Sequence, residues 1–139
     1  MQGEGDTVTA AADPSATPGA LTIEAITGDG GRLSLDPSDN CIGIAARETL
    51  ALLPGAPACG VRLKLHKGLP LGSGMGSSAA SAAAACVAVN ALFGSKVDKD
   101  QLVFAGLQSE AFVSGYHADN IAPALLGGFV LVRCGFRRL

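Results

Sequence analysis

The chain has 139 residues, enough for one domain. Hydrophobic residues make up 48% and charged residues 16%, so a core can form and disorder of the whole chain is excluded. The net charge of −2 shows no basic face for nucleic acid, and no apolar run reaches the roughly 18 residues of a membrane span. With 24 alanines, 19 glycines and no tryptophan, the core is built from small side chains.

In chain order, Thr7, Val8 and Thr9 favour a strand over 6–12, followed by a loop with two prolines. Leu21, Ile23 and Ala25 alternate as a second strand, and Gly28, Asp29, Gly30 and Gly31 make a tight turn. A strand resumes over 32–35, so the first third reads as a hairpin or meander. Asn40 caps a helix over 41–53, which Pro54 and Gly55 stop. Val61, Leu63 and Leu65 alternate with Arg62, Lys64 and His66 in a further strand over 59–66. A glycine-rich loop covers 67–76, and a helix runs over 77–93 to a stop at Gly94. Asp98, with Gln101 three residues on, opens a helix to about Val113. A short helix over 121–126 and an apolar strand over 129–133 close the chain. This order predicts a two-layer α+β sandwich.

Cysteines stand at 41, 59, 86 and 134, with irregular spacing and apolar neighbours. They read as free buried thiols, not a zinc site. The acidic start (Met1, Gln2, Gly3, Glu4, Gly5, Asp6) shows no signal or transit peptide.

The stretch 68–94 carries no charge in 27 residues. Glycines 72, 74 and 76 allow positive φ, and their amides can form a nest for an anion. The loop opens into a helix, whose free N–H groups and dipole add to that preference. Ser77 and Ser78 fall in the first turn, where a hydroxyl can cap the helix, touch phosphate or ligate Mg²⁺. Composition alone is equally satisfied by a glycine-rich connector ahead of a buried alanine helix. No lysine follows these glycines, so a Walker loop is excluded, and Ser77 occupies the third glycine position of a dinucleotide fingerprint.

The run Pro70-Leu71-Gly72-Ser73-Gly74-Met75-Gly76-Ser77-Ser78-Ala79-Ala80 resembles the central ATP-binding motif of the GHMP kinases, Pro-x-x-x-Gly-Leu-Gly-Ser-Ser-Ala. Met75 for the usual Leu is the one departure, and it conserves volume. Within the family the sequence is most similar to the homoserine kinases, those of plants in particular. That likeness rests on Leu65 through Gly74, Ser109-Glu110, Ser114 through Ala124, and Gly127 through Leu131. It covers about residues 5–133, with 134–139 as a tail unlike the family.

The resemblance implies the ribosomal-S5-domain-2-like N-terminal domain of such a kinase, without its first strand and first motif and without the C-terminal domain. It implies ATP bound by residues 70–80 with Asn40 nearby, and Mg²⁺ on Ser78 and Glu110. It implies L-homoserine bound at His117, Asp119 and Asn120, with Ser78, Glu110 and Asn120 as the catalytic set. By residue type alone, Glu110 is a solvated surface acid, and Asp119 or Asn120 is a cap for the short helix. Asp119 also invites a general-base role, although homoserine kinases are thought to lack a dedicated base. Lys67 and His66 read as a solvated pair at the sheet edge.

The implied reaction of the complete enzyme is phosphorylation of the homoserine hydroxyl to O-phosphohomoserine, on the path to threonine. The chain alone is expected to be inactive and prone to association through an exposed sheet edge. The alternatives are another small-molecule kinase of the family and a non-catalytic nucleotide- or anion-binding module. Expected partners are the small-molecule substrate, with neither nucleic acid nor membrane, and a homodimer is a candidate assembly. The plant likeness implies the chloroplast stroma.

Overall fold

The computed structural model describes residues 5–133. The tail expected at 134–139, with Cys134, lies outside them. Three strands, β1 (Thr7–Asp13), β2 (Leu21–Thr27) and β3 (Gly60–His66), form one sheet. Four α-helices follow the pattern expected from sequence: α1 (Cys41–Leu52), α2 (Ser77–Leu92), α3 (Lys99–Val113) and α4 (Ala118–Leu126). The result is a sheet covered on one face by helices, an α+β sandwich.

The strand order is β1-β3-β2, with β3 antiparallel to β1 and parallel to β2. The expected hairpin of β1 and β2 is therefore absent. β3 has the strongest apolar face, with Val61, Leu63 and Leu65 all buried, and it takes the centre. β1 and β2 are only half-buried and become edges. The parallel pairing of β2 with β3 uses α1 as the crossover, as parallel strands require. On the open face of the sheet Glu24 pairs with Arg62 at 3.1 Å and with Lys64 at 3.4 Å.

Two further strands expected from sequence are irregular. Residues 32–35 follow a loop organised by Asp29, whose carboxylate accepts the N–H groups of Gly31 (3.2 Å) and Leu33 (2.9 Å). Those local bonds take the backbone donors a ladder would have used. Residues 129–133 are apolar but have no strand beside them among the described residues, and Phe129 is 97% exposed.

Helix α2 is the centre of the core. Ala79, Ala82, Ala83, Ala85, Cys86 and Val89 are buried against the sheet and against α1, α3 and α4. Alanine at these positions lets the helix lie close to its neighbours, and it favours the helix intrinsically. Asn90, two turns beyond Ala83, accepts from Val97 N–H and donates to Val97 O, tying the link to α3. Asp98 N–H donates to Gln101 Oε1 at 3.4 Å, as the capping pattern predicts.

The start of α1 is fixed in two ways. Asn40 Oδ1 accepts Ile42 N–H at 3.0 Å, and Gly43 sits against the backbone of Pro37, in a short 3-10 turn at Pro37–Asp39. A Cβ on Gly43 would collide with the Pro37 carbonyl. Gly43→Ala gains up to about 1 kcal/mol of helix propensity and loses about 1–3 kcal/mol to overpacking. Urea unfolding should therefore show a net loss of stability.

Candidate nucleotide site

The residues at the head of α2 surround a cavity of about 400 Å³. One wall is the glycine loop: Leu71, Gly72, Ser73, Gly74, Gly76, Ser77 and Ser78. Gly72, Gly74 and Gly76 have φ of 67°, 74° and 69°, the left-handed region that a side chain would strain. Gly76 occupies the N-cap position of α2 and brings no side chain to cap it. The first amides of the helix thus remain for an outside partner. The opposite wall is the start of α1 with Asn40 and Cys41, and the end of α3 with Glu110 closes the cavity.

Glu110 is 2% exposed, so the solvated-acid reading is wrong. Its Oε1 has no hydrogen-bond partner among the described residues. Burying a carboxylate oxygen without a partner is costly, and such a group calls for a cation or a donor from a ligand. A hard cation is taken by oxygen donors, and Ser78 lines the same cavity. Among the described residues no group of three acidic, histidine or cysteine side chains could hold a metal by itself. The donor set therefore fits an ion shared with an oxygen-rich ligand.

The two serines differ. Ser77 is buried, and its hydroxyl receives a hydrogen bond from Lys67 Nζ (2.5 Å) and donates to Leu69 O (3.3 Å). Its hydroxyl is spent inside the protein. Ser78 lies in the cavity wall. Lys67 was expected to be solvated at the sheet edge. It is instead buried beneath the loop and paired with Asp6, because its side chain turns inward where β3 ends.

Other expected residues divide. Asn120 lines the cavity, and its Oδ1 lies 3.0 Å from where a Cβ on Gly76 would be. Pro70 and Met75 are exposed outside the wall, while Ala79 and Ala80 lie behind it in the helix. His117 and Asp119 are exposed at the start of α4 and do not line the cavity. Neither Asp119 nor Asn120 caps α4: the helix begins at Ala118, with His117 in the cap position and no side-chain cap.

Sequence reasoning passed over Leu33, Asp39, Cys41, Lys67, Ser81, Phe112, Val113 and Ser114 in this wall. Only the apolar character of Leu33, Phe112 and Val113 was visible, and it is shared with any core residue. Burial pushes the Cys41 thiol up to about 11, with the Glu110 carboxylate adding to the rise, so it is neutral wall. Cys86 is likewise raised to about 11 by burial. Cys41, Cys59 and Cys86 are all free thiols, as expected, but only Cys86 is fully buried, while Cys41 and Cys59 are partly exposed.

Residues 40–128 match the family model for the GHMP kinases N-terminal domain. The chain belongs to the GHMP kinase family. Over 133 residues it is 62% identical to the homoserine kinase of Arabidopsis thaliana, which covers 96% of this chain and 36% of that protein. It is 45% identical over 118 residues to the homoserine kinase of Chlorobaculum tepidum, covering 81% of this chain and 36% of that one. The crystal structure of homoserine kinase from Cytophaga hutchinsonii matches with a TM-score of 0.76 at 33% identity, over 96% of this chain and 50% of that chain. Mevalonate kinase of Methanococcus jannaschii shares the fold (TM-score 0.68, 17% identity, 87% of this chain and 41% of that one). The chain spans about a third of the length of the curated relatives it matches. In this GHMP domain the family's glycine motif is the loop that forms the cavity wall.

Several carboxyls are held below their usual range, and two of them, Asp6 and Asp29, have buried side chains. Burial raises the Asp6 carboxyl, but bonds from Lys67, Ser81 and Leu69 N–H outweigh it and hold Asp6 below its usual value. Asp29 is held low chiefly by the N–H groups of Leu33 and Gly31. A depressed folded pKa contributes stability above the unfolded carboxylate range, and loses it as pH falls through the folded value. Urea midpoints should therefore drop between about pH 6 and pH 3, and Asp29→Asn should narrow that difference.

Proposed function

We propose that the cavity binds ATP with Mg²⁺, and that this domain is the nucleotide-binding part of a homoserine kinase. In that reading the γ-phosphoryl group passes to the side-chain hydroxyl of L-homoserine, giving O-phosphohomoserine and ADP. The observation that carries the reading is the orphaned Glu110 Oε1, buried in the same cavity as Ser78 and the uncapped head of α2.

The roles follow from position. The amides of the loop and the first turn of α2 take the phosphate oxygens, where the helix dipole adds to the attraction. Ser78 and Glu110 are the residues to hold Mg²⁺, which when bound offsets phosphate charge and aligns the group to be transferred. Leu33, Asn40 and Leu71 form a mostly apolar wall suited to the nucleoside. Asn40 is already committed through both ends of its amide, accepting from Ile42 N–H and donating to Ser34 O at 2.7 Å. It shapes that wall more than it reads the base.

The amino-acid substrate is assigned to the side nearest α4, with Asn120 reaching into the cavity. His117 and Asp119 contribute from outside the wall, by contact with the part of the substrate that projects beyond it. No general base is assigned, because Asp119 is solvent-exposed. Catalysis then rests on positioning and charge stabilisation, as phosphoryl transfer allows.

The homoserine assignment rests on the 62% identity to the Arabidopsis relative and on the His117–Asn120 segment, not on cavity shape. A nucleotide-binding module without transfer activity is the alternative, and homoserine-dependent ADP release separates the two. For the chain by itself, which spans about a third of the length of its curated relatives, binding with little turnover is expected.

A fluorescent ATP analogue should bind the chain, and Mg²⁺ should tighten binding by about tenfold or more. Glu110→Gln and Ser78→Ala should each remove most of that gain; Mg²⁺-free binding should stay close to wild type in Ser78→Ala and tighten in Glu110→Gln, which removes the carboxylate that repels the phosphates. A wild-type chain that binds no nucleotide in either condition would overturn the proposal.

A further inference from the structure

The glycine loop has little core of its own: residues 72–75 are exposed. Its two ends are held from below by a single pair of charged residues. Asp6 Oδ1 accepts the N–H groups of Gly68 and Leu69, both at 3.0 Å, where the loop begins. Asp6 Oδ2 accepts from Ser81 Oγ at 2.5 Å and from Lys67 Nζ, beneath the first turn of α2. Lys67 Nζ also donates to Ser77 O (3.0 Å), Ser77 Oγ (2.5 Å) and Ser81 Oγ (2.9 Å). The backbone of Lys67 is itself anchored, since its N–H donates to Thr27 O at 2.8 Å and continues the β2–β3 ladder.

The side chains of Lys67 and Asp6 are 1% and 0% exposed. An ammonium has three protons, and here four oxygens of the protein share them. None remains for a phosphate, although Lys67 borders the cavity. Burying two charges is a poor route to stability for its own sake, because the desolvation of both ions offsets their attraction. What the pair achieves is geometric. It ties residues 68 and 69 to residues 77 and 81, so the ends of the loop cannot drift apart. A Cβ on Gly68 would strike the backbone of Gly5, so the Asp6 segment crosses directly over the loop's entry.

We infer that Asp6 and Lys67 form a clamp that preorganises the anion-binding loop, and that Lys67 acts as a positioning residue with no contact to phosphate. The inference rests on the nucleotide reading only for the identity of the ligand. The clamp itself is a property of the ligand-free chain.

Amide hydrogen exchange on the ligand-free chain tests it. In Asp6→Asn and in Lys67→Met, the hydrogen-bonded amides at the loop's ends, those of Gly68, Leu69 and Ala80, should exchange about tenfold faster or more, while those of α1 keep wild-type rates. Unchanged exchange at these amides in variants that fold would overturn the clamp. Should either variant fail to fold by circular dichroism, Ser81→Ala serves. It keeps the ion pair and removes one bond to each partner, so a smaller acceleration confined to these amides is expected, and none would overturn the clamp. Nucleotide titration supplies the sign. A clamp predicts that Asp6→Asn weakens binding, by a similar factor for ATP and ADP. If Lys67 instead contacted phosphate, Asp6→Asn would free its charge and tighten binding, more for ATP than for ADP, and the inference would fail. A wild-type chain that binds neither nucleotide overturns the function proposed above, while the exchange result still decides the clamp.

Discussion

The head of α2 presents backbone amides that no side chain among the described residues caps, and the surrounding structure keeps them open and fixed. Open amides are useful only if they stay in place. The alanine body of α2 supplies the first restraint, because it is packed on the sheet and on three other helices. The Asp6–Lys67 pair supplies the second, at the loop's ends. Left-handed glycines at 72, 74 and 76 then carry the chain between those fixed points without side chains in the way. The core and the site are thus one construction: the helix that fills the interior is the helix whose end faces the cavity.

Charge is distributed in keeping with that construction. The lysine nearest the loop is neutralised by Asp6, so the cavity's attraction for an anion comes from backbone dipoles and not from a side-chain cation. Among the described residues, the buried side-chain oxygen left without a protein partner in the cavity belongs to the carboxyl group of Glu110. An anion and an unpaired carboxylate can share a small cavity only with a cation between them. In the nucleotide reading proposed above, this arrangement would let a loop without a Walker lysine hold a triphosphate.

Much of the secondary structure was legible because its signals are local. Asn40, Asp98 and Gly94 mark helix ends by hydrogen-bonding chemistry that acts within a few residues, and all four helices stand close to where the sequence places them. The strands of 32–35 and 129–133 were misread for the complementary reason: alternating or apolar character states a preference, but a strand exists only where a partner edge is available. The pairing of β3 between β1 and β2 was hidden too, since two strands joined by a short loop fit a hairpin equally well until a more apolar third strand claims the centre.

By itself the sequence determined the glycine loop, the alanine helix behind it and the family they belong to, because those depend on residue type and spacing along a continuous stretch. Only the tertiary structure decided that Glu110 is buried and unpartnered, that Lys67 points inward to Asp6, and that Ser77 is spent on the fold while Ser78 faces the cavity. The Lys67 outcome depends on residues far apart in the chain, since Asp6 is 61 positions from Lys67 and 75 from Ser81, and the Ser77 outcome depends on how the loop folds Lys67 back beneath the first turn of α2. A side chain's solvation and its partners are set by what packs around it, and no reading of its neighbours in sequence contains that information.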